Sequence, residues 1–117
     1  MTLGKLIEAV ERGEFPGDVT ARDLGRPDAQ IAILTFYEAF SGSLDAAKAL
    51  HDALLPGWDW RKPAVPWEKD SVAVQSPTWQ PADEENDEGG YPWFKGVADD
   101  PARAWVIAVL RALEADP

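Results

Sequence analysis

A chain of 117 residues, 45% hydrophobic and 27% charged, has the composition of one soluble globular domain. Such a length buries roughly two thirds of its unfolded surface, enough for one core. Its 21 acidic and 11 basic residues leave a net charge of −10, and it holds no cysteine. This excludes disulfides and thiolate metal sites and disfavours direct binding to nucleic acid, whose phosphates need lysine and arginine.

The chain opens on "MTLGKLIEAVERGEF", which is charged throughout and lacks the apolar stretch of a signal peptide, so a cytoplasmic location is expected. No apolar run reaches the roughly 20 residues of a membrane span. Leu3, Leu6, Ile7 and Val10 stand at i, i+3, i+4 and i+7, which predicts a helix capped by Thr2 and closed by Gly13. Residues 14–26 are rich in Gly, Pro and Asp and read as a loop. A second helix is expected from Pro27, with Asp28 in its first turn. Although "DAQIAILTFYEAF" contains strand-forming residues, Ile33, Phe36, Tyr37 and Phe40 keep helical spacing and Gly42 ends it. Ser43 caps a third helix that places Ala47, Leu50, His51 and Leu54 on one face and stops at Pro56-Gly57. The last helix begins with Asp100 as cap and Pro101 in the first position. Apolar residues nearly surround it, from Ala104 to Leu113, so it must be covered within the chain or by a second copy, and a homodimer is one expectation.

Between the last two helices the period changes. In "GWDWRKPAVPW", Trp58 and Trp60 are two apart and share one face of a strand, while Pro63 and Pro66 confine that stretch to an edge or a bulge. "DSVAVQSPTW" alternates Val72 and Val74, and "GYPWFKGVA" makes a third strand. "QPADEENDEGG" reads as the long tip between the last two strands. The expected fold class is α+β, a short antiparallel three-stranded sheet flanked by about four helices. It forms one domain over 1–117, with a helical part at 1–42 and a helix-sheet-helix core at 43–115. Trp58, Trp60 and Trp105 are expected in the core, Trp105 meeting the other two.

The stretches "SLDAAKALHDALLPGWDW" at 43–60 and "DDPARAWVIAVLRALEA" at 99–115 resemble small phage and prophage proteins of unknown function with an ABA-sandwich domain. The likeness covers roughly 43–115, departs at the acidic connection "PADEENDEGG" and is loose over the first 40 residues. It implies a phage origin, hence a bacterial host cell, and a sheet with helices on its faces. It brings no catalytic residues.

No catalytic signature stands in the chain. His51 is the single histidine, on an apolar helix face where packing is the ordinary role, and Asp52 points to another side. Neither a Gly-x-Ser-x-Gly elbow nor a phosphate loop is present. Asp83, Glu84, Glu85, Asp87 and Glu88 place five carboxylates in six residues. As a calcium loop counted from Asp83 the run fails, since positions six and twelve hold Glu88 and Phe94 instead of Gly and Glu. It is a solvated tip or a contact for a basic partner, imitating the phosphates of a nucleic acid. Trp67, Trp79, Tyr91 and Trp93 fill the small sheet or serve as exposed anchors beside that tip. The expectation is a non-enzymatic, phage-encoded accessory protein with no cofactor and no metal. It would act by binding, as an anti-CRISPR-like inhibitor of host defence does, with Asp83, Glu84, Glu85, Asp87, Glu88, Trp79, Tyr91 and Trp93 as its contact residues. The rival expectation is a small-molecule binder that sequesters a nucleotide, with Trp67, Trp79 or Trp93 as stacking platform and Arg61, Lys62 or Lys69 for phosphate.

Overall fold

A computed structural model describes residues 3–14, 31–61, 70–79 and 89–115. The order is α1 (Leu3–Glu11), α2 (Ile31–Phe40), α3 (Leu44–Leu54), β1 (Asp59–Arg61), β2 (Asp70–Gln75), β3 (Trp93–Ala98) and α4 (Pro101–Ala115). The class is α+β, with four helices and one antiparallel sheet in the order β1-β2-β3.

The helix boundaries follow from their caps. Gly13 and Gly42 adopt φ of 74° and 109°, a region closed to most side chains. At each, two backbone bonds close the helix: Gly13 to Val10 and Glu14 to Ala9, then Gly42 to Ala39 and Ser43 to Glu38. The Ser43 hydroxyl accepts from the Ala46 amide at 3.1 Å and so starts α3 one residue after α2 is sealed. Asp100 does the same for α4, accepting from the Arg103 amide at 3.1 Å. The expected Thr2 cap and the start of the second helix at Pro27 lie outside the described residues, and α2 is described from Ile31.

The stripes turn inward as their spacing requires. Leu6, Ile7 and Val10 of α1, Phe36 and Phe40 of α2, and Ala47, Leu50, His51 and Leu54 of α3 are buried. They meet α4, in which every residue from Ala104 to Leu110 is buried, together with Ala102, Ala112 and Leu113. These residues join Val72 and Val74 in one core, so the N-terminal helices and the helix-sheet-helix part share it. α4 is thus covered within a single chain.

In the sheet, Asp59, Gln75 and Trp93 stand in one row, Trp60, Val74 and Phe94 in the next, then Arg61, Ala73 and Lys95. Because side chains alternate, Trp60, Val72, Val74, Phe94, Gly96 and Ala98 face α4. Gly96 is where the two layers come closest. A Cβ there would meet the Ala104 carbonyl oxygen and lie 2.6 Å from the Ala108 nitrogen and 2.9 Å from the Ile107 Cβ. Among the described residues no helix covers the opposite face of the sheet. The described helices sit on one side because α1, α2 and α3 all pack on α4.

One expectation about the core needs correction. Trp105 is buried and Trp58 half-buried, its ring 6.0 Å from Phe94, but Trp60 is 44% exposed. The reason is its position: β1 is three residues long and lies at the sheet edge, so only one face of the indole finds cover, against Trp105 at 4.3 Å.

Arg111 fastens the open side of β3. Its Nη1 donates to the Lys95 carbonyl at 2.7 Å, and its Nη2 pairs with Glu11 of α1 at 2.8 Å. The pair is 40–44% exposed, so solvent screening limits it. Arg111→Met should therefore lower stability by about 1 kcal/mol in urea unfolding. Raised salt should remove only part of that difference, because the bond to the carbonyl persists.

Candidate functional site

The face of the sheet turned away from α4 carries Asp59, Arg61, Ala73, Gln75, Trp93, Lys95 and Val97. It is open near the Trp93 end, while Ser71 at the far end is buried. Trp93 is 42% exposed, and the Arg61 guanidinium lies 5.3 Å from its ring centroid, reaching across the middle strand. The sheet continues one step past its strands, since the Ser76 amide donates to the Pro92 carbonyl at 3.0 Å. Gln75 Nε2 also donates to the Tyr91 carbonyl at 3.3 Å. Beyond it, the Thr78 amide donates to the Ser76 hydroxyl at 3.1 Å, a local turn that directs the chain into Trp79.

Trp79 is 55% and Tyr91 50% exposed, so with Trp93 three aromatic residues stand in solvent at one end of the sheet. Large aromatics left in water at one end of a domain are the usual composition of an interface centre. Asp83, Glu84, Glu85, Asp87 and Glu88 lie outside the described residues, as do Trp67, Lys62 and Lys69. The described chain breaks off at Trp79, four residues past Gln75, and resumes at Gly89, four before Trp93.

His51 has a structural role. It is 1% exposed, with Trp105 Nε1 donating to its Nδ1 at 3.3 Å and its Nε2 2.9 Å from the Trp58 carbonyl. An indole nitrogen only donates, so Nδ1 accepts and Nε2 carries the hydrogen given to Trp58. Both nitrogens are committed, which leaves none for a substrate. Among the described residues no group of three His, Asp or Glu side chains is arranged to hold a metal. Among them, too, no helix is long and apolar enough to cross a membrane.

A second concavity escaped the sequence pattern. Leu44, Asp45, Lys48, Trp60, Val72 and Trp105 line a cleft of about 260 Å³ between the start of α3 and the edge strand. Its sequence signal is Leu44, which is in phase with the buried Ala47 and His51 three and seven residues on, yet is 48% exposed in the first turn of α3. Families and relatives give no further guide to either surface: no protein-family model, no curated protein and no solved structure matches this chain.

Proposed function

We propose that this protein is a phage or prophage accessory protein that acts by binding rather than by catalysis. In this reading the open end of its sheet and the adjoining run 83–88 engage a basic, nucleic-acid-binding surface of a host protein, in the manner of an inhibitor of host defence. The observation that carries it is the exposure of Trp79, Tyr91 and Trp93, the aromatic residues that flank the five-carboxylate segment in the sequence. Aromatic anchors supply contact energy, and a fixed negative field speeds encounter with lysine- and arginine-rich partners. The resemblance of 43–60 and 99–115 to phage ABA-sandwich proteins supports the origin, and the −10 charge supports the kind of partner.

The test is capture from a bacterial host lysate by the intact chain, followed by measurement of the recovered partner's affinity. The expected partner is a nucleic-acid-binding protein that nucleic acid competes away. Changing Asp83, Glu84, Glu85, Asp87 and Glu88 to Ser or Gln should weaken binding at low salt and flatten its salt dependence. Trp93→Ala should cost about 2 kcal/mol, roughly 30-fold in Kd. Undiminished capture by the five-acid variant would reject the mimicry.

A further inference from the structure

The cleft beside Trp60 lies on the α4 side of the sheet, away from the surface just discussed, and it combines features that belong to a small-ligand site. Its floor is a fixed aromatic platform. Trp60 and Trp105 stack with centroids 4.3 Å apart and planes inclined at 35°. Trp105 is itself pinned through Nε1 to His51, and His51 to the Trp58 carbonyl. The outer ring of this stack, Trp60, still shows 44% of its surface to solvent. Leu44 and Val72 supply aliphatic walls. A platform ordered before any ligand arrives loses little freedom on binding.

The polar groups stand on one rim. Asp45 and Lys48 are three apart on α3 and both line the cleft. Lys48 is steadied by Asp52 at 2.9 Å, yet an ammonium has three donors and retains others. The cleft lining therefore includes one carboxylate and one ammonium together with an exposed indole. At about 260 Å³ the cleft falls below the roughly 300–1,000 Å³ of drug-sized sites, so it takes one base and leaves an attached sugar outside.

We propose that this cleft binds an uncharged purine nucleoside of the guanine type. The base stacks on Trp60, its adjacent N–H groups donate to the Asp45 carboxylate, and its ring carbonyl accepts from Lys48. A phosphate is disfavoured, because the molecule carries −10 and this lysine is already paired with Asp52. The site thus selects nucleosides over nucleotides, and it is independent of protein docking at the opposite face.

Isothermal titration of the intact chain with guanosine, guanosine monophosphate and indole tests the assignment. Guanosine should bind saturably and more tightly than either competitor. Trp60→Ala should weaken it about 5- to 150-fold, the range for loss of one stacking partner. Asp45→Asn should weaken guanosine while leaving indole unchanged, and Trp93→Ala on the far face should alter neither. The melting midpoint of each variant is measured alongside. Should Trp60→Ala be unfolded, Leu44→Glu takes its place, since Leu44 is exposed at the cleft mouth. Absence of saturable guanosine binding overturns the proposal, as does binding that survives Trp60→Ala or its substitute. Tighter binding of the monophosphate overturns the charge argument, and equal binding of indole overturns the edge recognition by Asp45 and Lys48.

Discussion

Gly96→Ala is expected to be the most damaging single-methyl change in the described part of the chain. The added Cβ would be driven against the Ala104 carbonyl oxygen and would lie 2.6 Å from the Ala108 nitrogen and 2.9 Å from the Ile107 Cβ. The first two are backbone atoms of a buried helix and cannot rotate away. Relief requires α4 to move off β3, which would open the layer that also covers Val72 and Val74. Overpacking in a well-filled core typically costs about 1–3 kcal/mol, and contacts this short with backbone belong at or above the upper end. The expected result is a loss of about 3 kcal/mol or more, seen as a melting midpoint lower by more than about 10 °C. Gly4→Ala is the control. Its Cβ would meet only the end of the flexible Glu114 side chain, at 3.2 Å, inside helix α1. Alanine there should be neutral or stabilise by up to about 1 kcal/mol, because it favours helix more than glycine does. If both variants melt alike, direct contact of α4 with β3 at Gly96 is not what holds the layers together.

His51→Ala should be nearly as costly, for a different reason. The imidazole fills core space and joins three elements: it sits on α3, accepts from Trp105 of α4 and donates to the Trp58 carbonyl ahead of β1. Its removal leaves a cavity and strands a buried indole N–H, which by itself costs about 1–3 kcal/mol. A total near 3 kcal/mol is expected in denaturant unfolding. Trp105→Phe removes the donor from the other side. The pair His51→Ala with Trp105→Phe should therefore be less damaging than the sum of the two singles, by about 1 kcal/mol, since the second change removes the group the first left unpaired. Strict additivity would show that the hydrogen bond contributes nothing beyond packing. Nitrogen-detected NMR of the ring gives a separate check, which the geometry predicts to show the hydrogen on Nε2 of His51.

Much of the scaffold was legible because its signals are local. The stripe Leu6, Ile7, Val10, the caps Ser43 and Asp100, and the terminators Gly13 and Gly42 depend on residues within a few positions of one another, and each is found in its expected role. The alternation Val72, Val74 likewise declared its own buried face. His51 was read correctly as a packed side chain, but its partners Trp58 and Trp105 are seven and 54 residues away, and no spacing rule connects them.

What composition and periodicity alone determined is the kind of molecule: one acidic α+β domain with a thoroughly buried last helix, since charge balance and apolar period belong to the chain whatever its fold. Only the tertiary structure decided which tryptophans meet solvent. Trp58, Trp60 and Trp105 are chemically alike, yet they differ because Trp60 stands on a short edge strand, where Trp105 covers one face of its ring and the other stays open. It also decided that Gly96 must be glycine and that Leu44, Asp45 and Lys48 border a cleft floored by Trp60. Both follow from how closely α4 and α3 approach the sheet, a distance fixed by the packing of many side chains at once and written in no single stretch of sequence.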